Sequence, residues 1–246
     1  MKNKKKDYPT VKEKTSLLKP EGILLVNKAE GFSSFHLISL LRRICGEKKI
    51  GHGGTLDPLA RGVVVILIGK KFTTRSSSFL AHEKEYLARI KLGQITPTYD
   101  KESSPKTIST KKPSLKEIHS ILSFYQGEIE QIPPMFSAKK VKGKKLYHLA
   151  RKGIEIKRQP CLVKISTSFV GYRYPYLNLH ITCSKGTYIR SLANDIGKNL
   201  FTGGYLFSLT RIRSGPFHLK DCVDQNKLYL SSFHLSSWIK DYAYLF

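Results

Sequence analysis

The sequence predicts a domain built from both strands and helices, and three observations support this. The apolar run Val63–Ile68 is uninterrupted and bounded by glycines, which is typical of a strand buried on both faces. Residues 85–93 alternate between apolar and polar side chains, which indicates a strand with one buried face. Residues 189–200 carry apolar side chains at helical spacing. No internal repeat or composition break is visible, so we expect one large domain.

The other elements follow in order from Gly22, where a short apolar strand begins. Ser33 or Ser34 can cap a helix that Gly46 would end. Ser114-Leu-Lys-Glu117 is a capping box that opens another helix, and Gly127 is placed to close it. The remaining predicted elements are an antiparallel strand pair at 163–169 and 177–183, and a basic strand or loop at 208–217.

The charge balance indicates a polyanionic partner. The chain has 43 Lys and Arg against 18 Asp and Glu, a formal net charge of +25. This field favours nucleic acid first and an anionic membrane surface second. Residues 1–20 are rich in lysine and poor in apolar residues, so we expect a disordered basic tail. No secretory signal follows it, and the longest apolar run is too short to span a bilayer, so we expect a cytoplasmic protein, as a monomer.

The positions of the cysteine, histidine and carboxylate residues disfavour disulfide-stabilised, zinc-binding and metal-dependent classes of protein. The four cysteines are widely separated and form no Cys-x-x-Cys pair, which disfavours a disulfide framework or a zinc ribbon. No carboxylate or histidine cluster has ligand spacing, which disfavours a metal-dependent nuclease. The Gly69-Lys-Lys sequence lacks the spacing of a phosphate-binding P-loop.

The stretch Gly51–Gly62 has two interpretations. Its four glycines permit close backbone approaches, and it carries His52 and Asp57 directly before the central strand. A reactive carboxylate on such a loop suits binding or catalysis. However, Asp before Pro is common turn chemistry, and from the pattern alone a structural turn is favoured.

Residues 131–153 also have two interpretations. Lysines at 139, 140, 142, 144 and 145 are interleaved with aromatic residues, which suits a segment that faces nucleic acid. A solvated loop followed by a helix start explains the same composition.

The stretch Gly51–Gly62 resembles the catalytic motif of the TruB family of bacterial tRNA pseudouridine synthases, whose usual form is Gly-His-Thr-Gly-x-Leu-Asp-Pro-x-Ala-x-Gly. Further segments resemble the family in the same order, and the resemblance covers about residues 21 to 217. These segments are Lys28 beside a glycine turn, Tyr86 in its strand, and residues 131–138, 143–147, 184–190 and 211–217. Chance agreement of so many ordered motifs is implausible.

The resemblance implies an α+β pseudouridine synthase fold, with a mixed, mainly antiparallel sheet, flanking helices and an RNA-binding insertion. It places the catalytic domain at 21–246 and the RNA-gripping insertion at 131–160, without a full C-terminal PUA-type module. The implied activity is isomerisation of uridine to pseudouridine in the T-loop of tRNA, at position 55 by tRNA convention. The family needs neither a metal nor a cofactor.

The resemblance also implies roles for individual residues. Asp57 matches the essential carboxylate, which could attack the ribose or base, or remove a ribose proton. Arg190 matches the arginine that pairs with it, and Tyr188 the tyrosine lying against the target base. Tyr86 matches the tyrosine that stacks on that base and assists proton transfer, and Leu209 an apolar residue of the uracil pocket.

Four further positions complete the implied site. His52 matches a histidine that helps the target nucleotide leave its stack, and Lys28 a lysine under the active-site floor. Phe72-Thr73 replaces the usual Thr-Lys, so we expect the family's RNA contact at Lys70 or Lys71.

Other departures concern single residues. Gly53 replaces threonine, which predicts greater flexibility beside His52. Ala29 replaces the proline after Lys28, which predicts a looser turn, and Arg61 replaces a small residue and could contact phosphate.

A non-catalytic tRNA-binding protein or folding chaperone is the alternative function. The presence of Asp57, Tyr86, Tyr188 and Arg190 together argues against it.

Overall fold

The computed structural model describes residues 20–141 and 143–242. The predicted tail at 1–20 falls almost wholly outside the described residues. In chain order the strands are β1 (Gly22–Lys28), β2 (Ile50–His52), β3 (Ala60–Ile68), β4 (Lys84–Leu92), β5 (Gln94–Ile95), β6 (Lys106–Thr107), β7 (Gln126–Gln131), β8 (Lys140–Val141), β9 (Lys144–Lys145), β10 (Cys161–Arg173), β11 (Tyr176–Cys183), β12 (Gly204–Ser214), β13 (Phe217–His218) and β14 (Val223–Asp224).

The helices are α1 (Ser34–Cys45), α2 (Lys70–Thr73), α3 (Ser76–Ala81), α4 (Leu115–Leu122), α5 (Leu146–Ala150) and α6 (Ile189–Asn199). Short 3-10 helices lie at Leu219–Asp221, Gln225–Tyr229 and Leu235–Ser237. In the part of the chain that the structure describes, no helix is long and apolar enough to cross a membrane.

The described residues divide into two compact units, 20–81 with 213–242 and 82–212. In the first unit, β3 is hydrogen-bonded antiparallel to β1 and to β2, and β14 pairs parallel to β1. Every residue from Val63 to Ile68 is at most 2% exposed, which confirms the predicted strand buried on both faces. The stretch Gly51–Gly62, which was predicted as a loop, is partly strand. Strand β2 includes Gly51 and His52, and β3 begins at Ala60.

Helix α1 has the predicted caps. Ser33 accepts a hydrogen bond from the backbone N–H of His36, and Gly46 ends the helix in the left-handed conformation. One core cluster of this unit joins β1 and β3 to the aromatic side chains of α2, α3 and β13. It contains Ile23, Leu25, Val63, Val65, Leu67, Phe72, Phe79 and Phe217.

The second unit contains a run of mainly antiparallel strands in the order β12-β4-β11-β10-β7. The predicted pair β10 and β11 is confirmed, and the alternating side chains of β4 bury Tyr86, Ala88, Ile90 and Leu92. The capping box at Ser114 is confirmed. The predicted end of α4 was wrong, since α4 ends at Leu122 and Gly127 lies in β7.

Helix α6 lies close to the backbone that follows it. Its predicted apolar row is buried, with Ile196 fully inaccessible to solvent. Gly197 permits this approach, because a Cβ there would overlap the backbone of Gly203 and Gly204. The C-terminal end of α6 is therefore packed directly against the backbone at the start of β12.

Candidate active site

The Asp57 turn is fastened on both sides within the first unit. On one side, Leu56 donates its backbone N–H to the Ser34 hydroxyl over 2.9 Å, and that hydroxyl donates back to the Leu56 carbonyl over 3.1 Å. On the other side, the Pro58 carbonyl accepts the backbone N–H of Gly31 over 2.8 Å. Asp57 itself is partly exposed, so its carboxylate is presented on a rigid turn.

The side chain of Lys28 also contacts the Asp57 turn. Its side chain is fully buried, and its ammonium donates to the carbonyls of Phe32 (2.6 Å), Ala29 (2.9 Å) and Pro58 (3.5 Å). A buried cation needs such partners, because its desolvation is otherwise costly. This contact places Lys28 next to the Asp57 turn.

The departure at Ala29 has a structural consequence different from the predicted loosening. The backbone N–H of Ala29 donates to the side-chain oxygen of Gln225 over 2.9 Å, and Gln225 is fully buried. Proline has no N–H and could not make this contact. The turn beside Lys28 is therefore tied to the 3-10 helix Gln225–Tyr229.

Gly53 also has a packing role. A Cβ at this position would lie 2.7 Å from the Cβ of Phe79, which is 1% exposed in the core. Threonine, the usual family residue, therefore does not fit unless the backbone shifts. His52 is partly exposed beside it and accepts the N–H of Gly54 at Nδ1 over 3.3 Å.

Arg61, Lys70 and Lys71 are exposed on the first unit. Lys71 forms an ion pair with Asp241 at 3.5 Å, with both side chains about half exposed. The predicted RNA contact at Lys70 or Lys71 stays a prediction.

In the second unit, Arg190 is buried at the start of α6. A cation near a helix N-terminus is unfavourable against the helix dipole, so it needs compensation. Asp100 supplies it, with Oδ2 at 3.7 Å from the Arg190 Nε and both side chains at most 7% exposed. Two further guanidinium nitrogens donate to the carbonyls of Thr98 (3.2 Å) and Phe136 (2.9 Å).

Asp100 is itself held in place. Its Oδ1 accepts the Thr98 hydroxyl over 2.6 Å and the backbone N–H of Glu102 over 2.9 Å. The sequence assigned this residue no role, because it lies in a polar connection after β4. The sequence feature that could have indicated a structural role for Asp100 is the presence of threonine and serine hydroxyls on either side of its carboxylate in the chain.

Gln131 fixes the backbone of Tyr188. Its side-chain oxygen accepts the Tyr188 N–H over 2.8 Å, and its amide donates to the Tyr188 carbonyl over 3.1 Å. Gln131 is 3% exposed, so both groups of its amide are used inside the protein. The start of the predicted insertion is thereby joined to the start of α6.

Tyr86 and Leu209 are buried on the neighbouring strands β4 and β12, at 8% and 5% exposure. Two residues along the same strands, Lys84 and Arg211 are also buried. Burial, with a smaller contribution from the charge of Arg211, lowers the pKa of Lys84 to about 8. The second unit thus buries two cationic side chains on the strands that carry Tyr86 and Leu209.

The described residues contain no group of three or more His, Cys, Asp or Glu side chains that could hold a metal ion. All four cysteines are free.

Comparison with known proteins identifies the family. Residues 42–189, more than half of the chain, match the family model described as TruB family pseudouridylate synthase (N terminal domain). The chain belongs to the TruB family. It is therefore an enzyme, an isomerase with the pseudouridine synthase fold.

Relatives of the TruB family are similar over most of the chain. The protein named tRNA pseudouridine synthase B of Protochlamydia amoebophila (strain UWE25) is 53% identical over 204 residues, covering 83% of this chain and 78% of the relative. The protein of the same name from Chlamydia pneumoniae is 50% identical over 221 residues, covering 90% and 94%.

Solved structures share the TruB chain's fold. A chain of a Cbf5-Nop10-Gar1 complex superposes with a TM-score of 0.66 at 25% identity, over 84% of this chain and 53% of that chain. A chain of an H/ACA RNP bound to a substrate RNA containing 2'-deoxyuridine gives 0.62 at 23% identity, over 84% and 51%. This chain spans about half the length of those solved chains.

Proposed function

We propose that this enzyme isomerises uridine to pseudouridine in the T-loop of tRNA, at position 55 by tRNA convention. The relatives at about half identity are named for the tRNA reaction. The observation that carries the proposal is the Asp57 turn, whose neighbours Leu56 and Pro58 are both fastened to buried polar side chains. Such a turn presents one carboxylate with little freedom, which is what a precisely placed reactive group requires.

The reaction cleaves the bond from the ribose to N1 of uracil, turns the base and rejoins the ribose to C5, with release of the C5 proton. One carboxylate, Asp57, is the proposed reacting group, acting either as a nucleophile or as the base for a ribose proton. No metal or cofactor takes part in the proposed steps.

Arg190 is the proposed partner of Asp57. Its network with Asp100, Thr98 and Phe136 fixes its orientation in the second unit. The pairing itself rests on the family resemblance. A guanidinium would keep the carboxylate ionised and correctly oriented throughout the reaction.

The target base must leave the folded T-loop to react. Flipping costs a few kcal/mol, which stacking and phosphate contacts offset. Tyr86 and Tyr188 are the proposed stacking partners and Leu209 the apolar wall, while His52 assists the nucleotide as it leaves. Lys70 and Lys71 are the proposed phosphate contacts. One protein chain is proposed to act on one tRNA.

The insertion 131–160 is proposed to close over the RNA. Its described part carries exposed lysines at 140, 144 and 145 around a cavity of about 520 Å³. This arrangement suits a polyanion, and the contacts of Gln131 and Phe136 anchor the segment to α6.

Tritium release from a T-arm RNA carrying 5-tritiated uridine tests this function. The wild type should release tritium, with or without EDTA, and Asp57→Asn should bind the RNA without releasing it. A T-arm RNA whose only labelled uridine lies outside position 55 is the control for site selection. Binding and annealing of tRNA by the wild type without pseudouridine formation would instead indicate the chaperone alternative.

A further inference from the structure

Lys139 and Cys161 make an unusually close contact in the second unit. The Lys139 Nζ lies 2.5 Å from the Cys161 Sγ. Hydrogen-bonded nitrogen and oxygen atoms are about 2.7–3.2 Å apart, and sulfur is larger than oxygen. The two atoms are therefore closer than an ordinary N–H···S hydrogen bond would bring them.

The two residues stand at the ends of one functional segment. Lys139 directly precedes β8, and Cys161 is the first residue of β10. Between them lie β8, β9, α5 and the cavity lined by Lys140, Lys144, Lys145 and His148. A covalent bond between the two side chains would close this basic segment into a loop.

The surroundings distinguish Cys161 from two other cysteines of the chain. Burial raises the pKa of Cys183 to about 11 and also raises the pKa of Cys45, which keeps both as unreactive thiols. Cys161 is partly exposed at the start of β10, so a small oxidant can reach its sulfur. An amine is already in contact with that sulfur.

We propose that Lys139 and Cys161 form an oxidative modification site, in which a single oxygen atom bridges the lysine nitrogen and the cysteine sulfur. The oxidant is a peroxide. A nitrogen and a sulfur joined through one oxygen are held closer than van der Waals contact, as Lys139 and Cys161 already are.

The chemistry balances with two molecules of hydrogen peroxide. The first oxidises the thiol to a sulfenic acid and is reduced to water. The second peroxide removes two electrons. In this step the neutral amine loses one N–H hydrogen and the sulfenic acid loses its O–H hydrogen. The amine nitrogen then bonds to the sulfenic oxygen. Two further waters leave, so that one thiol, one amine and two peroxides give one N–O–S bridge and three waters.

The bridge would restrain the insertion, a consequence that rests on the function proposed above. The backbone of Lys139 already accepts the N–H of Leu146, the first residue of α5, over 2.9 Å. Fixing its side chain to β10 removes the remaining freedom at the base of the segment. If the segment must move to admit RNA, oxidation slows the enzyme and reduction restores it.

Mass spectrometry of the peroxide-treated full chain tests the site. Adding one oxygen and losing two hydrogens raises the mass of the linked peptides by about 14 Da, against about 16 Da for a sulfenic acid alone. The wild type and Cys45→Ser should show the linked species, and excess dithiothreitol should remove it. Lys139→Arg and Cys161→Ser should not form it. Oxidation of Cys161 without linkage to Lys139 would overturn the proposal.

Activity provides a separate readout. Peroxide should lower tritium release by the wild type several-fold and reversibly, while Cys161→Ser should keep its activity under the same treatment. Equal losses in both proteins would refute the regulatory consequence. A wild type without activity before treatment would refute the proposed function, and the mass measurement would still decide the modification site.

Discussion

Replacing Asp100 by asparagine removes the charge opposite Arg190 at almost constant shape. Asparagine can still accept the Thr98 hydroxyl and the Glu102 N–H with its side-chain oxygen, so the loop keeps its turn. The substitution therefore tests the ion pair rather than the local fold. We expect a loss of both stability and catalysis.

The geometry sets the magnitude. Two unit charges 3.7 Å apart at an effective dielectric constant of about 20 attract by about 4.5 kcal/mol. Removing one partner of a buried pair costs about 3–5 kcal/mol, since the other charge stays buried. Because Asp100→Asn retains the hydrogen bonds of Oδ1, we expect a fall in unfolding free energy of about 3 kcal/mol, at the lower end of that range.

The exposed pair between Lys71 and Asp241 is the matched control. Its separation is similar, 3.5 Å, but its side chains are 49% and 58% exposed. Asp241→Asn should change the unfolding free energy by less than about 1 kcal/mol. Urea denaturation measures both variants, and tritium release measures kcat, which should fall for Asp100→Asn more than KM changes. Equal stability losses in the two variants would refute the burial argument.

Three further predictions concern single residues. Gly53→Ala should lower the unfolding free energy by about 1–3 kcal/mol in urea denaturation, whereas Gly51→Ala, whose Cβ would lie 3.5 Å from its nearest neighbour, should cost less. Ala29→Pro should destabilise by about 1–3 kcal/mol, since it removes the donor to buried Gln225; no loss in the same assay would contradict this. Lys84→Met should gain stability relative to wild type near pH 7, where the wild type buries a charged ammonium. That gain should shrink above pH 8, because the folded pKa of Lys84 lies below its unfolded value, so wild-type stability rises as this proton is lost. A constant difference up to pH 9.5 would refute it.

Much of the fold could be predicted because the signals are local. The Ser33 cap, the Ser114 capping box and the apolar row of α6 each involve residues within one or a few turns. The error at Gly127 has a local cause as well. A left-handed glycine suits a helix end, and the same backbone conformation also occurs at the start of β7.

Family motifs in the sequence predicted the residues of the candidate site, but the sequence did not predict the residues that hold them in place. Asp57 and Arg190 stand in recognisable segments. The groups that hold them are distant in sequence, since Lys28 reaches Pro58 across thirty positions and Phe136 accepts from Arg190 across fifty-four. The hydrophobic periodicity of the sequence contains no information about such contacts, because each contact depends on how the chain folds back on itself.

The sequence by itself determined the strands at 63–68, 85–93, 163–169 and 177–183, the helix caps at Ser33 and Ser114, the excess positive charge and the family motifs, because each is a property of neighbouring residues or of the whole composition. Only the tertiary structure decided that Asp100 supports Arg190, that Gly53 makes room for Phe79 and that Cys161 touches Lys139. These are contacts between segments far apart in the chain. Their energies depend on burial and distance, which exist only once the chain has folded.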